Sequence, residues 1–187
     1  MNLVNELKQN HEDFEWYPTT DEIIYRIYHD IKNTFEPRIS SILDIGAGDG
    51  RVLEALDDLT NKKYAIEKSY THINNLPSDV FLIGTDFHEQ TLIDKEVDVI
   101  FCNPPYTEFS EWTSKILKEG FCKYIYMVIP DRWKNDRNIQ SALDDSKWSH
   151  EVLGKYDFLD SAAIVEKLLD FNDGNTQIIT LYIPHIH

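Results

Sequence analysis

Seven short apolar runs separated by segments of helical period limit this 187-residue chain to a layered α/β domain. The runs are Ser41 to Ile45, Lys63 to Glu67, Val80 to Ile83, Val97 to Phe101, Tyr124 to Pro130, Glu151 to Phe158 and Gln177 to Ile183. Several are rich in β-branched or aromatic residues, which suit a pleated, packed surface. Helical period is found in Gly50 to Leu59, Ser69 to Leu76, Phe109 to Glu119, Asn138 to Asp145 and Ala162 to Leu169. Parallel neighbours need crossover connections, so the alternation predicts a mostly parallel seven-stranded sheet with helices on both faces. The last run follows Asn172-Asp173-Gly174-Asn175 and reads as the returning arm of a hairpin-like connection. An antiparallel seventh strand is therefore expected.

Ahead of the first run, Ile23, Ile24, Ile27, Tyr28 and Ile31 recur at helical spacing after Thr20-Asp21-Glu22. Thr20 is a suitable N-cap and the two acids suit a helix's first turn, which predicts a helix over Asp21 to Asn33. A shorter helix over Leu3 to Lys8 is expected before it. No repeat, low-complexity tract or Gly/Ser/Pro-rich linker divides the chain. Residues 1–187 thus read as one domain, with a helical segment over 1–39 and an α/β core over 40–187.

No apolar run approaches the ~20 residues needed to span a bilayer, and the first ten residues lack a signal peptide's apolar stretch. A soluble, cytoplasmic protein with no membrane partner is the expectation. Cys102 and Cys122 lie within apolar segments without metal-ligand spacing, so they read as buried free thiols. No metal is expected, and His185 and His187 read as a solvated tail rather than ligands. The formal net charge of −15 opposes autonomous binding of duplex DNA, since non-specific affinity comes from cations that neutralise phosphates. Arg132, Lys134 and Arg137 form a local basic group that reads as a solvated helix end or, alternatively, a nucleic-acid contact.

Ser41-Ile42-Leu43-Asp44-Ile45-Gly46-Ala47-Gly48-Asp49-Gly50-Arg51 is a buried strand, a tight turn and a helix start. Alternate glycines permit left-handed backbone and close approach of a ligand to the main chain, and a helix N-terminus offers free N–H groups. The Gly46, Gly48, Gly50 spacing departs from the dinucleotide fingerprint, which needs a third glycine three residues after the second.

A strand ending in Asp44 before these glycines resembles the first motif of class I S-adenosylmethionine-dependent methyltransferases. The resemblance implies a Rossmann-like fold and S-adenosylmethionine as cofactor, held by Asp44, Gly46, Ala47, Gly48 and Gly50. It extends to Glu67, which would accept hydrogen bonds from the ribose hydroxyls with Lys68 beside it. At the next strand end, Asp86 would meet the adenine amine and Phe87 would pack on the adenine face. By itself each acid is equally a surface residue closing a strand. Their order, each after an apolar run, would align them along the carboxyl ends of a sheet.

Asn103-Pro104-Pro105-Tyr106 follows a buried strand, and its two prolines stiffen the turn and remove two donors. It resembles the fourth motif of amino-methyltransferases. The resemblance implies that Asn103 and the Pro104 carbonyl accept from a target NH2 group while Tyr106 stacks on its plane, with Pro105 holding the turn and Asn103 also bordering the cofactor. Phe14-Glu15-Trp16-Tyr17-Pro18-Thr19-Thr20 is similar to a segment found ahead of the first motif in bacterial and phage adenine methyltransferases, here with the aromatic directly before Pro18. Tyr17 and Thr19 are accordingly expected at the methionine end of the cofactor.

The expected reaction is methyl transfer to a planar amine, adenine N6 of DNA first. Protein glutamine and RNA are the alternative acceptors, and a partner subunit for target recognition is allowed for, 187 residues leaving little room for a recognition domain. A non-catalytic cofactor-binding subunit is the alternative from another class.

Overall fold

A computed structural model describes residues 7–10, 16–35, 38–146 and 148–156, together with the backbone of 176–182. The expected helix over Ala162 to Leu169, the first residues of the one over Leu3 to Lys8, and Phe14, Glu15, Phe158, Ile183, His185 and His187 lie outside these residues. Residues 7–9 are helical.

Seven strands form one sheet in the order β3-β2-β1-β4-β5-β7-β6. They are β1 (Ile39–Ile45), β2 (Thr60–Ile66), β3 (Val80–Gly84), β4 (Val99–Cys102), β5 (Tyr124–Pro130), β6 (Ser149–Tyr156) and β7 (Thr176–Tyr182). The first five are mutually parallel. β7 is antiparallel to both neighbours and lies between β5 and β6, so the return connection seats the last strand inside the sheet rather than beside it.

Alternation along the central strands explains why helices cover both faces. Val99 and Phe101 of β4 and Tyr126 and Val128 of β5 pack with Ile23, Ile27 and Ile31 of α1 (Asp21–Thr34) and Val52 and Leu53 of α2 (Arg51–Ala55). Ile100 and Cys102, with Ile125, Met127 and Ile129, face the opposite way. They meet Trp112 and Ile116 on one helix and Ile139 and Ala142 on another. The short helix Tyr70–Ile73 is α3, so the helices of the second face are α4 (Phe109–Glu119) and α5 (Arg137–Asp145).

Among the described residues the expected elements are present, most of them with shifted ends. Helix α1 begins where Thr20 predicts, its hydroxyl accepting from the Ile23 N–H at 3.4 Å. Helix α2 stops at Ala55 and passes into a 3-10 turn over Asp57–Leu59, short of the expected single helix to Leu59. Asp57 is drawn to Lys63 and Asp58 accepts from Tyr28 at 2.7 Å, so tertiary partners rather than helix propensity set this end. Helix α3 stops at Ile73 instead of Leu76, where Asn75 donates to the Thr71 carbonyl at 2.7 Å and Pro77 blocks continuation. β1 starts at Ile39, just before the expected boundary of the core at residue 40. β4 starts at Val99 instead of Val97, whose N–H bonds to Phe121 outside the ladder.

Both cysteines are buried free thiols. Burial pushes the Cys122 thiol up to about 12 and that of Cys102 also well above its ordinary value. Among the described residues no helix is long and apolar enough to cross a membrane.

Candidate active site

The sheet register sets the site. Ile45 of β1 pairs with Ile66 of β2 and Cys102 of β4, so the next residues, Gly46, Glu67 and Asn103, emerge side by side at the carboxyl ends. Ile66 also pairs with Gly84, which brings Asp86 and Phe87 to the same edge. A cavity of about 250 Å³ opens there, bordered by Tyr17, Gly46, Glu67, Lys68, Asp86, Phe87, Asn103, Pro104 and Pro105. A smaller one of about 20 Å³ adjoins it, sharing Trp16, Tyr17, Gly46 and Asn103 and adding Thr19, Asp44 and Ala47.

The glycine turn wraps this edge. Gly46 donates to the Ile66 carbonyl at 2.8 Å, and the Gly48 N–H donates to Glu67 at 2.7 Å. Gly48 has φ +55, and a Cβ there would lie 2.4 Å from the Trp16 indole nitrogen. The turn needs glycine at this position both for its backbone and for the ring lying on it. Gly50, at φ +79, meets Pro77 and Leu76 instead, and neither Gly48 nor Gly50 lines either cavity. It sets the chain into α2.

Glu67 is buried, and its two oxygens accept from Gly48 and from Ser69, the latter at 2.8 Å. Asp44 differs. It is 1% exposed, and neither oxygen has a hydrogen-bond partner among the described residues. Burial, then the nearby charges of Glu67 and Asp49, holds its carboxyl well above the ordinary range. A buried, unsatisfied carboxylate beside a cleft is suited to a cationic or N–H-bearing ligand.

Asp86 spends its oxygens locally. It accepts from the His88 N–H at 3.0 Å and pairs with Lys68 at 2.9 Å, and the Lys68 contact chiefly holds its carboxyl below the ordinary range. Phe87 is buried against Trp112 with centroids 4.4 Å apart, yet still borders the large cavity.

Asn103 is held by its donor end. Its amide nitrogen donates to the Tyr17 carbonyl at 2.9 Å and to the Thr19 hydroxyl at 3.2 Å. A backbone carbonyl can only accept, so this fixes the amide's orientation and leaves its oxygen as the acceptor. The segment before α1 thus positions Asn103 as well as bordering the cleft. In the turn, Glu108 donates from its backbone N–H to the Pro105 carbonyl at 3.0 Å. Tyr106 borders neither cavity; its ring is covered by Arg132, whose guanidinium carbon lies 4.2 Å from the ring centroid. Arg132, Lys134 and Arg137 are all exposed; Arg132 is stacked on that ring, and Lys134 pairs with Asp131 at 3.1 Å.

Trp16, His72, His88, Glu108 and Trp112 also border the large cavity and were not anticipated. Trp16 lies over the glycine turn with its ring 4.5 Å from that of buried His72. Trp112 donates to Glu108 at 2.8 Å, and Glu108 also meets His88 at 3.0 Å. Burial raises the Glu108 carboxyl, but the bonds from Trp112 and His88 outweigh it and the net shift is downward. The sequence carries one signal for them, the i, i+4 spacing of Glu108 and Trp112 across the start of α4. Among the described residues no group of three or more His, Cys, Asp or Glu side chains is arranged to hold a metal ion.

The same architecture occurs in solved structures. A dimethyladenosine transferase from Plasmodium falciparum superimposes with a TM-score of 0.65 at 14% identity over 89% of this chain. The fold is a methyltransferase fold. The chain spans 62% of that Plasmodium protein. The 23S rRNA methyltransferase ErmE gives a TM-score of 0.65 at 14% identity, covering 90% of this chain and 70% of its own. An E. cuniculi Mtq2–Trm112 complex responsible for methylation of the eRF1 translation termination factor gives 0.62 at 14%, covering 91% and 99%. No protein-family model and no curated protein matches the chain.

Proposed function

We propose that this chain binds S-adenosylmethionine and methylates a planar amine, with adenine N6 in an unstacked nucleic acid, DNA first, as the acceptor. The observation that carries the reading is Asn103, whose amide nitrogen is committed to Tyr17 and Thr19 so that its oxygen is left to accept at the cavity edge. The residues present fit the cofactor. The unsatisfied Asp44 carboxylate suits an ammonium group, and Glu67 borders the cavity where a ribose diol would lie. Asp86 and Phe87 border the position of the adenine, and Lys68 anchors Asp86.

When bound, the cofactor supplies a sulfonium-activated methyl group that an amine lone pair can attack. A conjugated NH2 group is a poor nucleophile. Asn103 Oδ1 and the Pro104 carbonyl would each accept one of its N–H bonds, holding the nitrogen in place and favouring it as positive charge grows. The Pro105 carbonyl is already taken by Glu108, which leaves Pro104 as the second acceptor. The methylated nitrogen's extra proton can leave to water afterwards, so no general base is required. The solved neighbours that act on adenosine and rRNA support the acceptor class through their fold.

A second reading, methylation of a protein amide, is favoured by the net charge of −15, which would steer basic protein surfaces toward the chain. The likeness to a complex that methylates a translation termination factor is in keeping with it. Incubation with labelled cofactor and mixed DNA, RNA and protein separates the two. Label in nucleic acid is expected, and Asn103→Ala should lower the rate roughly 10²–10³-fold while cofactor binding by calorimetry persists. Label confined to protein would select the second reading; an unchanged rate in the variant would remove Asn103 from the chemistry.

A further inference from the structure

Glu108 stands two residues beyond the Asn-Pro-Pro-Tyr turn, at the start of α4, and borders the large cavity. Its carboxylate is held by one oxygen. Oε2 accepts from the Trp112 indole N–H at 2.8 Å and lies 3.0 Å from His88 Nε2, and no hydrogen bond among the described residues reaches Oε1. Trp112 packs on Phe87 with centroids 4.4 Å apart, and its ring lies 3.3 Å from where a Cβ on Gly46 would stand, so the carboxylate is tethered to the aromatic wall of the cavity. Asp86, to which the resemblance assigns the adenine amine, is placed differently. The His88 N–H takes its Oδ1 at 3.0 Å and Lys68 its Oδ2 at 2.9 Å. His88 thus joins the two acids, with its backbone on Asp86 and its ring on Glu108. One of these cavity-bordering carboxylates has both oxygens engaged by the chain, and the other has one.

From this arrangement we infer that Glu108 is a specificity-determining residue, whose Oε1 accepts an N–H of the cofactor's adenine amine, while Asp86 acts through His88 to position it. The inference rests on the S-adenosylmethionine reading above and names the residue that reads the base. An ionised carboxylate can only accept, which suits an exocyclic NH2 group and opposes a carbonyl in the same place. Burial raises the Glu108 carboxyl, but the bonds from Trp112 and His88 bring it below the ordinary range, so the ligand meets it ionised. Those bonds also set the acceptor in place before the ligand arrives, which leaves little ordering to be done on binding. Trp112 decides the polarity that the ligand meets. Its indole N–H can only donate, so whatever occupies the Oε2 position must accept. In Glu108→Gln the amide would turn its oxygen to Trp112 and present its NH2 group where Oε1 stands, donor facing donor.

The test is calorimetric binding of two ligands to the full chain, S-adenosylhomocysteine and S-inosylhomocysteine, the second carrying a 6-oxo group in place of the amine. Wild type should prefer the adenosine form by roughly tenfold or more, since the inosine carbonyl would face a carboxylate. Glu108→Gln should abolish or reverse that preference. Glu108→Ala should lose it without reversal, because alanine presents neither polarity. A merely structural role would weaken both ligands by one factor and leave the ratio intact. Glu111→Gln, exposed on α4 with its carboxylate 3.5 Å from the other His88 ring nitrogen, should keep the wild-type ratio. An unchanged ratio in both Glu108 variants would overturn the inference, as would a ratio that collapses in Asp86→Asn but not in Glu108→Gln. A wild type that binds neither ligand would overturn the cofactor reading itself, whereas one that binds both equally would overturn only the role of Glu108.

Discussion

Both oxygens of Asp44 lie in the interior, and the carboxyl is held well above the ordinary range by burial and by the charges of Glu67 and Asp49. A raised pKa in the folded state means that folding disfavours the ionised form. The contribution of Asp44 to the stability of the ligand-free protein is therefore greatest below the ordinary aspartate range and is lost as pH rises from there toward the raised folded value. Asp44→Asn should remove this penalty, raising Tm at neutral pH by a few degrees, about 2–4 °C per kcal/mol for a chain of this size. It should also weaken S-adenosylmethionine binding by roughly tenfold or more, as expected for a lost charged contact of about 1.5–3 kcal/mol. Scanning fluorimetry and calorimetry read the two effects, and a lower Tm in the variant would remove Asp44 as a group held for a ligand. Glu67→Ala should instead lose both stability and affinity, because Glu67 accepts from Gly48 and Ser69 before any ligand arrives. Were its affinity for cofactor to stay at wild-type level, the ribose role would pass to another residue. Sequence alone identified these acids by position but not their difference, since partnering depends on which backbone N–H groups the fold brings to each.

The glycine turn divides its work between positions that look alike in the sequence. An alanine at 48 would press on Trp16, whereas one at 50 would press on Pro77 and Leu76, behind α2. Both require positive φ, so both substitutions strain the backbone, by roughly 1–2 kcal/mol. Only Gly48→Ala should disturb the aromatic covering of the cleft. Its cofactor affinity is expected to fall well beyond its loss of stability, while Gly50→Ala lowers Tm with a much smaller change in affinity. Equal affinity losses would show that the turn responds as one unit. Helix α4 was fully legible, from Phe109 to Glu119, because its apolar stripe and its neighbours agree. Helices α2 and α3 were not, because Asp57, Asp58 and Asn75 take partners from strand β2, from helix α1 and from the preceding turn. Trp16 was passed over for a related reason: an aromatic beside Tyr17 reads as an anchor until its position over Gly48 is known.

At the scale of the whole chain, the order of elements was legible from periodicity, because buried parallel strands and amphipathic helices carry distinct patterns. The cleft was legible in outline, since residues that follow strands of a parallel sheet collect at one edge. Its division into two adjoining spaces was not, because that depends on the ring of Trp16 and on the Asn103 bond to Tyr17. If S-adenosylmethionine enters as proposed, it should stabilise the whole domain. At about 100 times its Kd the gain is about 2.7 kcal/mol, a rise of roughly 5–11 °C in Tm. No shift at saturating cofactor would argue against the site. The seating of β7 between β5 and β6 has a further consequence, in time rather than space. β6 precedes β7 along the chain yet touches the sheet only through it, so the edge of β5 stays open until Thr176–Tyr182 arrives. The last strand made is the wedge that locks its predecessor. Completion of the sheet must therefore wait for a long-range closure, leaving an apolar strand edge exposed during synthesis where a chaperone or a neighbouring chain could bind first.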